Sequence, residues 1–421
     1  MAVCFFNKDY DNKHKYRCEY EISSDQIIVT VDYDISEEVE AVDGIKSFGP
    51  NTKYANRDVL IIDYEKRTNY LLKDAYYNGS SFVYGTPDGG AKTKFATSIY
   101  FFCNDYESLA SLKETPKVSS ITIVSKDLLS YISESSVSRT EYEDKLVIDL
   151  NKKSYGETRQ IGINNIKKIT LQEYWFGGFN KEHDIVFDTT GHLEIKLSRR
   201  ANYTEIHQYV YEVFVFLQIY TNRRFRIEDI KVSIDGVSYG MFFYIRNNEK
   251  PIKKTGVYEA SVQSNIMDFL EKCYSNIPYR KSKSDIRNIP YIIMNSSRNI
   301  EDSFLIYYRF IECYYKKQKI PNIVKEFISY SLNENYKNGR KSLPTECDSL
   351  ANEIISLRNH YVHSGYYIRN ESLKIKFDDA NKNYTVKADV EWIYERMNIL
   401  YDCSVDIIFR NMLGYDNYNF S

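Results

Sequence analysis

The chain has 421 residues, 43% of them hydrophobic and 27% charged, and a formal net charge of −2. That length predicts two domains and the hydrophobic share excludes an extensively disordered chain. The near-neutral charge excludes a global nucleic-acid-binding signature, so any such contact must come from local patches. Seven Cys without a CxxC pair predict reduced, mostly buried thiols rather than a disulfide framework. The 40 Tyr accompany abundant Asn, Lys and Ile, a bias that AT-rich codons explain better than base stacking, although a minority could stack on nucleobases. The opening MAVCFFNKDYDNK lacks a long apolar core and a cleavage site, and no stretch approaches the ~18 apolar residues of a membrane span. The expectation is a soluble cytoplasmic protein with no membrane partner.

In chain order, the first part reads mainly as β. Residues 26–31, 120–124 and 145–150 are rich in β-branched side chains. Asp184-Ile185-Val186-Phe187 and Leu193-Glu194-Ile195-Lys196-Leu197 flank Thr189-Thr190-Gly191, which predicts two short strands around a turn. Val232-Ser233-Ile234 and Met241-Phe242-Phe243-Tyr244 flank Asp235-Gly236, a pair suited to the positive φ of tight hairpins. Between these, Asn202-Tyr203-Thr204-Glu205 has the form of a capping box. Ile206, Val210, Val213, Phe214, Leu217 and Tyr220 follow it at the spacing of one apolar helix face.

From Asn247 to Lys254 the chain is polar and contains Pro251, a plausible linker. This sets the predicted domains at 1–246 and 255–421. The second reads as helical, with candidate helices over 262–274, 300–317, 322–332, 348–363 and 386–413. The fold class is therefore α+β, a β-rich domain followed by an all-α one.

The fourth helix ends in Ser356-Leu357-Arg358-Asn359-His360-Tyr361-Val362-His363-Ser364-Gly365. Six Arg-Asn pairs occur in the chain, and only Arg358 has a His five residues later. At ~100° per residue, Asn359 and His363 lie one turn apart on nearly one face, with Arg358 beside them. Gly365 suits a helix C-cap, so His363 falls in the last turn, where the dipole favours an imidazolium. A histidine titrating near neutrality moves protons, and an arginine offers a permanent planar charge for a phosphate. Asn359 can hold Arg358 or His363 in position. Together these groups support metal-free RNA cleavage, in which the ribose 2′-hydroxyl attacks the adjacent phosphate.

The pattern Arg-Asn-x-x-x-His at the end of a helix, inside a helical C-terminal domain, resembles the HEPN ribonucleases, and more narrowly the ApeA-type HEPN proteins of bacterial anti-phage defence. Phe304-Leu305-Ile306-Tyr307-Tyr308-Arg309-Phe310-Ile311-Glu312 resembles the family's first core helix, with Glu312 at its acidic position. The stretch from Asn398-Ile399-Leu400 through Ile407 to Gly414 resembles its last helix, and the β-rich half with its late helix resembles the ApeA N-terminal domain. The resemblance implies a HEPN helical bundle and an endoribonuclease needing neither metal nor other cofactor. It also implies a dimer whose paired motifs face a shared RNA cleft, tRNA among the common targets, and an N-terminal domain that senses an invader such as a phage protein or restrains the nuclease. His360 departs from the single-His motif and competes with His363 as proton carrier. The alternative is a non-catalytic HEPN scaffold that binds a protein partner or nucleotide.

Glu312 either orients Arg358 or is a solvated helix residue. His360 and His363 with Cys347 nearby lack a fourth ligand at convincing zinc spacing. Arg280, Lys281, Lys283 and Arg287, and separately Lys316 and Lys317, are candidate RNA grips that matter only if they lie near His363; otherwise they are solvated surface.

Overall fold

The computed structural model describes residues 2–6, 15–32, 57–82, 91–132, 137–141, 146–150, 156–163, 165–179, 185–221, 226–243, 260–261, 265–276, 300–317, 347–364, 371–376, 383–414 and 419–420. They divide into two units, Met1–Tyr211 with Arg226–Asn247, and Glu212–Phe225 with Asn248–Ser421.

The first unit is antiparallel β. Strands β1 (Ala2–Phe6), β2 (Tyr16–Ile22), β3 (Ile27–Asp32), β4 (Arg57–Asp63), β5 (Asn69–Phe82) and β6 (Ala91–Thr97) pair in the order β5-β4-β1-β2-β3-β6, and β6 pairs back to β5. This closes a six-stranded barrel. Closure removes the unpaired edge, and alternate residues fill the inside. Cys4, Cys18, Ile27, Val29, Val31, Val59, Ile61, Leu72 and Phe95 form that core.

The barrel opens into a wider sheet because β5 changes partner. Asn69–Leu72 pair with β7 (Ile99–Cys103), whereas Tyr76 to Phe82 pair with β6. At the break, Asp74 has a φ of +49°, and the register with β4 shifts between Arg57 and Val59. The strain is held by side chains. The Tyr203 hydroxyl donates to Asp74 Oδ2 at 2.5 Å. The buried Lys73 ammonium pairs with Asp58 and donates to the Glu114 carbonyl at 2.9 Å. A buried charge needs such partners.

Beyond β7 the order runs β15 (Val237–Phe243), β14 (Asp229–Ile234), β8 (Lys117–Ser125), β13 (Ile185–Asn202), β12 (Ile166–Phe179) and β11 (Gly156–Ile163), while β9 (Val137–Glu141) and β10 (Leu146–Leu150) pair with each other in a separate two-stranded sheet. Cross-strand rows Leu193-Ile123-Ile230 and Ile195-Ile121-Val232 form its buried apolar face. The alternate rows place Glu194 and Lys231 beside Thr122, and His192 and Asp229 beside Val124. The expected hairpin at Asp235-Gly236 is present, with φ of +50° and +89°. The expected turn at Thr189-Thr190-Gly191 is not. Those residues lie inside the continuous β13, paired with β12 on one side and, from Gly191 onward, with β8 on the other. Gly191 is required there by close packing rather than by a turn, since an added Cβ would lie 2.4 Å from the Leu128 Cβ.

Asn202 and Glu205 form the expected capping box. A short 3₁₀ turn leads into α2 (Ile206–Thr221), which follows α1 (Tyr106–Ala110) in the chain. Ile206, Val210, Val213, Phe214 and Leu217 are buried along its stripe. The boundary between the units falls within this helix, at Tyr211 and Glu212.

The second unit contains α3 (Ile266–Asn276), α4 (Ile300–Lys317), α5 (Cys347–Ser364) and α6 (Val390–Asp406). The mixed α+β architecture is thus a β-rich part followed by several helices, but the second unit is not all-helical. Strands β17 (Glu371–Lys376) and β18 (Asn383–Ala388) form an antiparallel hairpin, and β16 (Ala260–Ser261) pairs with β19 (Asn419–Phe420). The helix expected from 386 begins at Val390 instead, because Asp389 caps it by accepting from the Trp392 amide at 2.9 Å. It ends in a π-helical turn over Ile407–Met412, closed by Gly414 at a φ of +68°. The helix expected from 262 begins at Ile266, where Asn265 Oδ1 accepts from the Met267 amide at 2.7 Å. The helix expected over 322–332 lies outside the described residues.

Phe304, Phe310, Ile354, Leu357, Ile393 and Leu400 are buried in the core of this unit. The rings of Tyr307 and Tyr401 meet edge to face at 5.5 Å, as do those of Phe304 and Tyr361 at 5.6 Å. Among the described residues no helix is long and apolar enough to cross a membrane. Among the described residues Cys4, Cys18, Cys103, Cys273, Cys313 and Cys403 form no disulfide, and four of them are buried.

Candidate active site

Helix α5 buries Leu350, Ile354, Leu357 and Tyr361 along one stripe. A helix that commits one face to the core turns the other outward. Arg358 and His360 are therefore half-buried on the flanks, while Asn359 and His363 are exposed. His363 lies in the last turn, the end of the helix where a cation is favoured. Ser364 is the final residue of α5, and Gly365 lies outside the described residues.

The Arg358 guanidinium is held from two directions. Its Nη1 donates to Asn359 Oδ1 at 2.9 Å. Its Cζ sits 5.5 Å from the centre of the Tyr308 ring, a cation–π contact that also limits its rotamers. Tyr308 is fixed because it is buried on α4 one turn after Phe304, whose ring meets Tyr361 of α5. Burial pushes the Tyr308 hydroxyl above the ordinary tyrosine value, Arg358 pulls it back, and Glu312 pushes it up again. Tyr308 thus feels both Arg358 and Glu312, which occupies the next turn of α4. Arg358, Asn359, Tyr308 and Glu312 converge where α4 and α5 pack, with His363 at the exposed end of α5.

This arrangement gives a cation braced by the neighbouring asparagine, a solvent-facing imidazole one turn beyond that asparagine, and a carboxylate nearby. A phosphodiester approaching the end of α5 would meet a fixed guanidinium for its oxygens and a proton carrier. Sequence reasoning did not assign Tyr308 a role. The available signal was its place one turn before Glu312 on an apolar helix, which core packing explains equally well.

The other candidate residues are placed unevenly. Lys316 and Lys317 are the last two residues of α4. Arg280, Lys281, Lys283 and Arg287 lie outside the described residues. No group of three or more His, Cys, Asp or Glu side chains that could hold a metal occurs among the described residues. The hairpin β17–β18 escaped the sequence reading, although Leu373-Lys374-Ile375-Lys376 and Tyr384-Thr385-Val386-Lys387 carry its period of two. Comparison with protein-family models, with curated proteins and with solved structures finds no match to this chain.

Proposed function

We propose that the protein is a metal-independent endoribonuclease of the HEPN type, with Arg358, Asn359 and His363 as its catalytic residues. The observation that carries this reading is the bracing of Arg358 by Asn359 and Tyr308 at the helix end that also presents His363. A guanidinium that only solvated the surface would need neither contact.

In the reaction, the ribose 2′-oxygen attacks the adjacent phosphorus as its proton passes to a base. The bond to the 5′-oxygen breaks, and that oxygen takes up a proton. The products are a 2′,3′-cyclic phosphate and a 5′-hydroxyl. His363 moves protons, Arg358 neutralises charge on the phosphorane oxygens, and Asn359 holds Arg358. Glu312 and Tyr308 are positioning residues in this reading, and His360 is the second candidate for proton transfer. The substrate class is structured RNA, tRNA first, cut in anti-phage defence by a dimer of helical units, with the β-rich unit as sensor of a phage-derived trigger.

RNA ends sequenced from cells expressing wild type and His363→Ala test the reading. Discrete new ends should appear with wild type alone. With purified protein, cleavage should persist in chelator and leave cyclic phosphate ends. Strict dependence on added Mg²⁺ or Mn²⁺ would point instead to metal-assisted hydrolysis.

A further inference from the structure

The hairpin β17–β18 begins seven residues after Ser364. Two-stranded hairpins are marginal alone, so this one needs an anchor. Its inward face provides one. Leu373, Ile375 and Ala388 are buried. The Tyr384 hydroxyl donates to Glu353 Oε1 of α5 at 2.5 Å. Glu353 Oε2 in turn accepts from Arg396 Nε and Nη2 of α6 at 2.9 and 2.6 Å, and the Arg396 guanidinium stacks 4.3 Å over the Trp392 ring. The hairpin is thus bolted to the helix that carries Arg358 and His363.

Its outward face has a different composition. Ser372 pairs with Lys387, and Lys374 with Thr385, and all four are exposed. No acidic residue occupies this face at those positions, and neither lysine makes an ion pair among the described residues. The register also says where the lysines lie. Tyr384 pairs with Ile375 and reaches Glu353, so β17 returns along α5 from the motif end and β18 runs back toward it. From Tyr384 to Lys387 the strand rises ~10 Å. Lys387 therefore lies toward the motif end of β18, with Lys374 beside Thr385 behind it.

We propose that this outward face, with Lys374 and Lys387 as phosphate contacts and Ser372 and Thr385 as hydrogen-bonding neighbours, is a rest for the RNA backbone leading into the Arg358–His363 site. The proposal deepens the ribonuclease reading and rests on it for the choice of RNA. Lysines on a short strand also guard against edge pairing, and that role requires no ligand.

The test measures binding of a fluorescein-labelled single-stranded RNA of mixed sequence to full-length His363→Ala protein across a salt series. The same measurement is made with Lys374→Gln and Lys387→Gln added, and with both lysines changed to Arg. The glutamine pair should weaken binding several-fold and lower the slope of log K against log salt by about 1.4, at ~0.7 per phosphate contact on a single strand. The arginine pair should keep the slope. An unchanged affinity and slope in the glutamine pair overturns the proposal, as does failure of the parent protein to bind RNA. Cleavage by the His363-intact protein is scored separately. Lysine-dependent binding without cleavage would leave the hairpin surface standing and remove the nuclease reading.

Discussion

At the scale of the residue, two histidines three positions apart meet different surroundings. His363 is exposed at the helix end, whereas His360 is half-buried on its flank. A proton carrier must reach substrate, so the two should separate in mutagenesis. His363→Ala is expected to lower RNA cleavage by ~10²-fold or more, the usual loss on removing a general acid or base, with unfolding unchanged. His360→Ala should cost less activity and more stability. Single-turnover cleavage and urea unfolding of both variants check this, and a wild-type rate in His363→Ala would remove that residue from the mechanism. His192, far away in sequence, shows the same dependence on surroundings. It is buried on the sheet and stacks on Tyr174 at 4.1 Å. Burial, reinforced by Lys231, pushes it down from 6.5 to about 4. Between those values the unfolded chain binds the proton and the folded chain does not. Stability from this group is therefore full above pH 6.5, falls as the pH drops through the window, and is lost below about 4. Asp229, across Val124, is pushed up by burial and contributes the opposite slope. Because His192→Gln leaves Asp229 in place, the variant should lose less stability than wild type between about pH 7 and about pH 4.5, measured as urea midpoints.

At the scale of the element, the helix carrying Arg358 and His363 is held by groups outside the proposed catalytic set. Glu353 joins Tyr384 of the hairpin to Arg396 of α6, and the Arg396 and Glu353 side chains are 13% and 12% exposed. At that depth a missing partner leaves a charge poorly solvated, and breaking one member of such a pair typically costs ~3–5 kcal/mol. Glu353→Ala should therefore destabilise the second unit by roughly that amount, whereas Glu353→Gln, which keeps one acceptor oxygen for Arg396 and can donate its amide to the Tyr384 hydroxyl oxygen, should lose less. Denaturant unfolding of both variants provides the comparison, and equal stability of Glu353→Ala and wild type would show that the network does not anchor the hairpin. The strand β13 teaches a related lesson. Thr189-Thr190-Gly191 has turn composition, yet β12 along its length and β8 from Gly191 onward satisfy its backbone, and pairing overrides the local preference.

At the scale of the whole molecule, one motif supplies one Arg358 and one His363, whereas the in-line attack of the proposed reaction benefits from a proton acceptor and a proton donor around a single phosphate. A two-fold pair of helical units would bring the second set. Isologous pairing of this kind is the commonest route to a homodimer. An excess of Arg358→Ala protein mixed with active enzyme should then depress cleavage below the value set by dilution, through mixed dimers. Titration of variant into wild type, with light scattering during turnover, measures both terms. A monomeric active enzyme untouched by the variant would exclude a shared site.

The sequence by itself determined the parts whose interactions are local. The Asp235-Gly236 hairpin, the Asn202–Glu205 cap, the apolar stripe of α2, the span of α4 and the helix ending near His363 all follow from spacings within a few turns of chain, where propensity and capping act directly. The motif residues Arg358, Asn359 and His363 were legible for the same reason, since their relation is one helical turn. Tertiary structure decided what depends on residues distant in the chain. Closure of the barrel rests on β6 returning to β5, the break in β5 on Tyr203 reaching Asp74, and the continuity of β13 on its two neighbours. The cation–π brace on Arg358 comes from a helix some fifty residues earlier, and the hairpin β17–β18 becomes stable only against Glu353 and Arg396. Short alternating segments carry too little local free energy to announce themselves, because their stability comes from the surfaces that cover them.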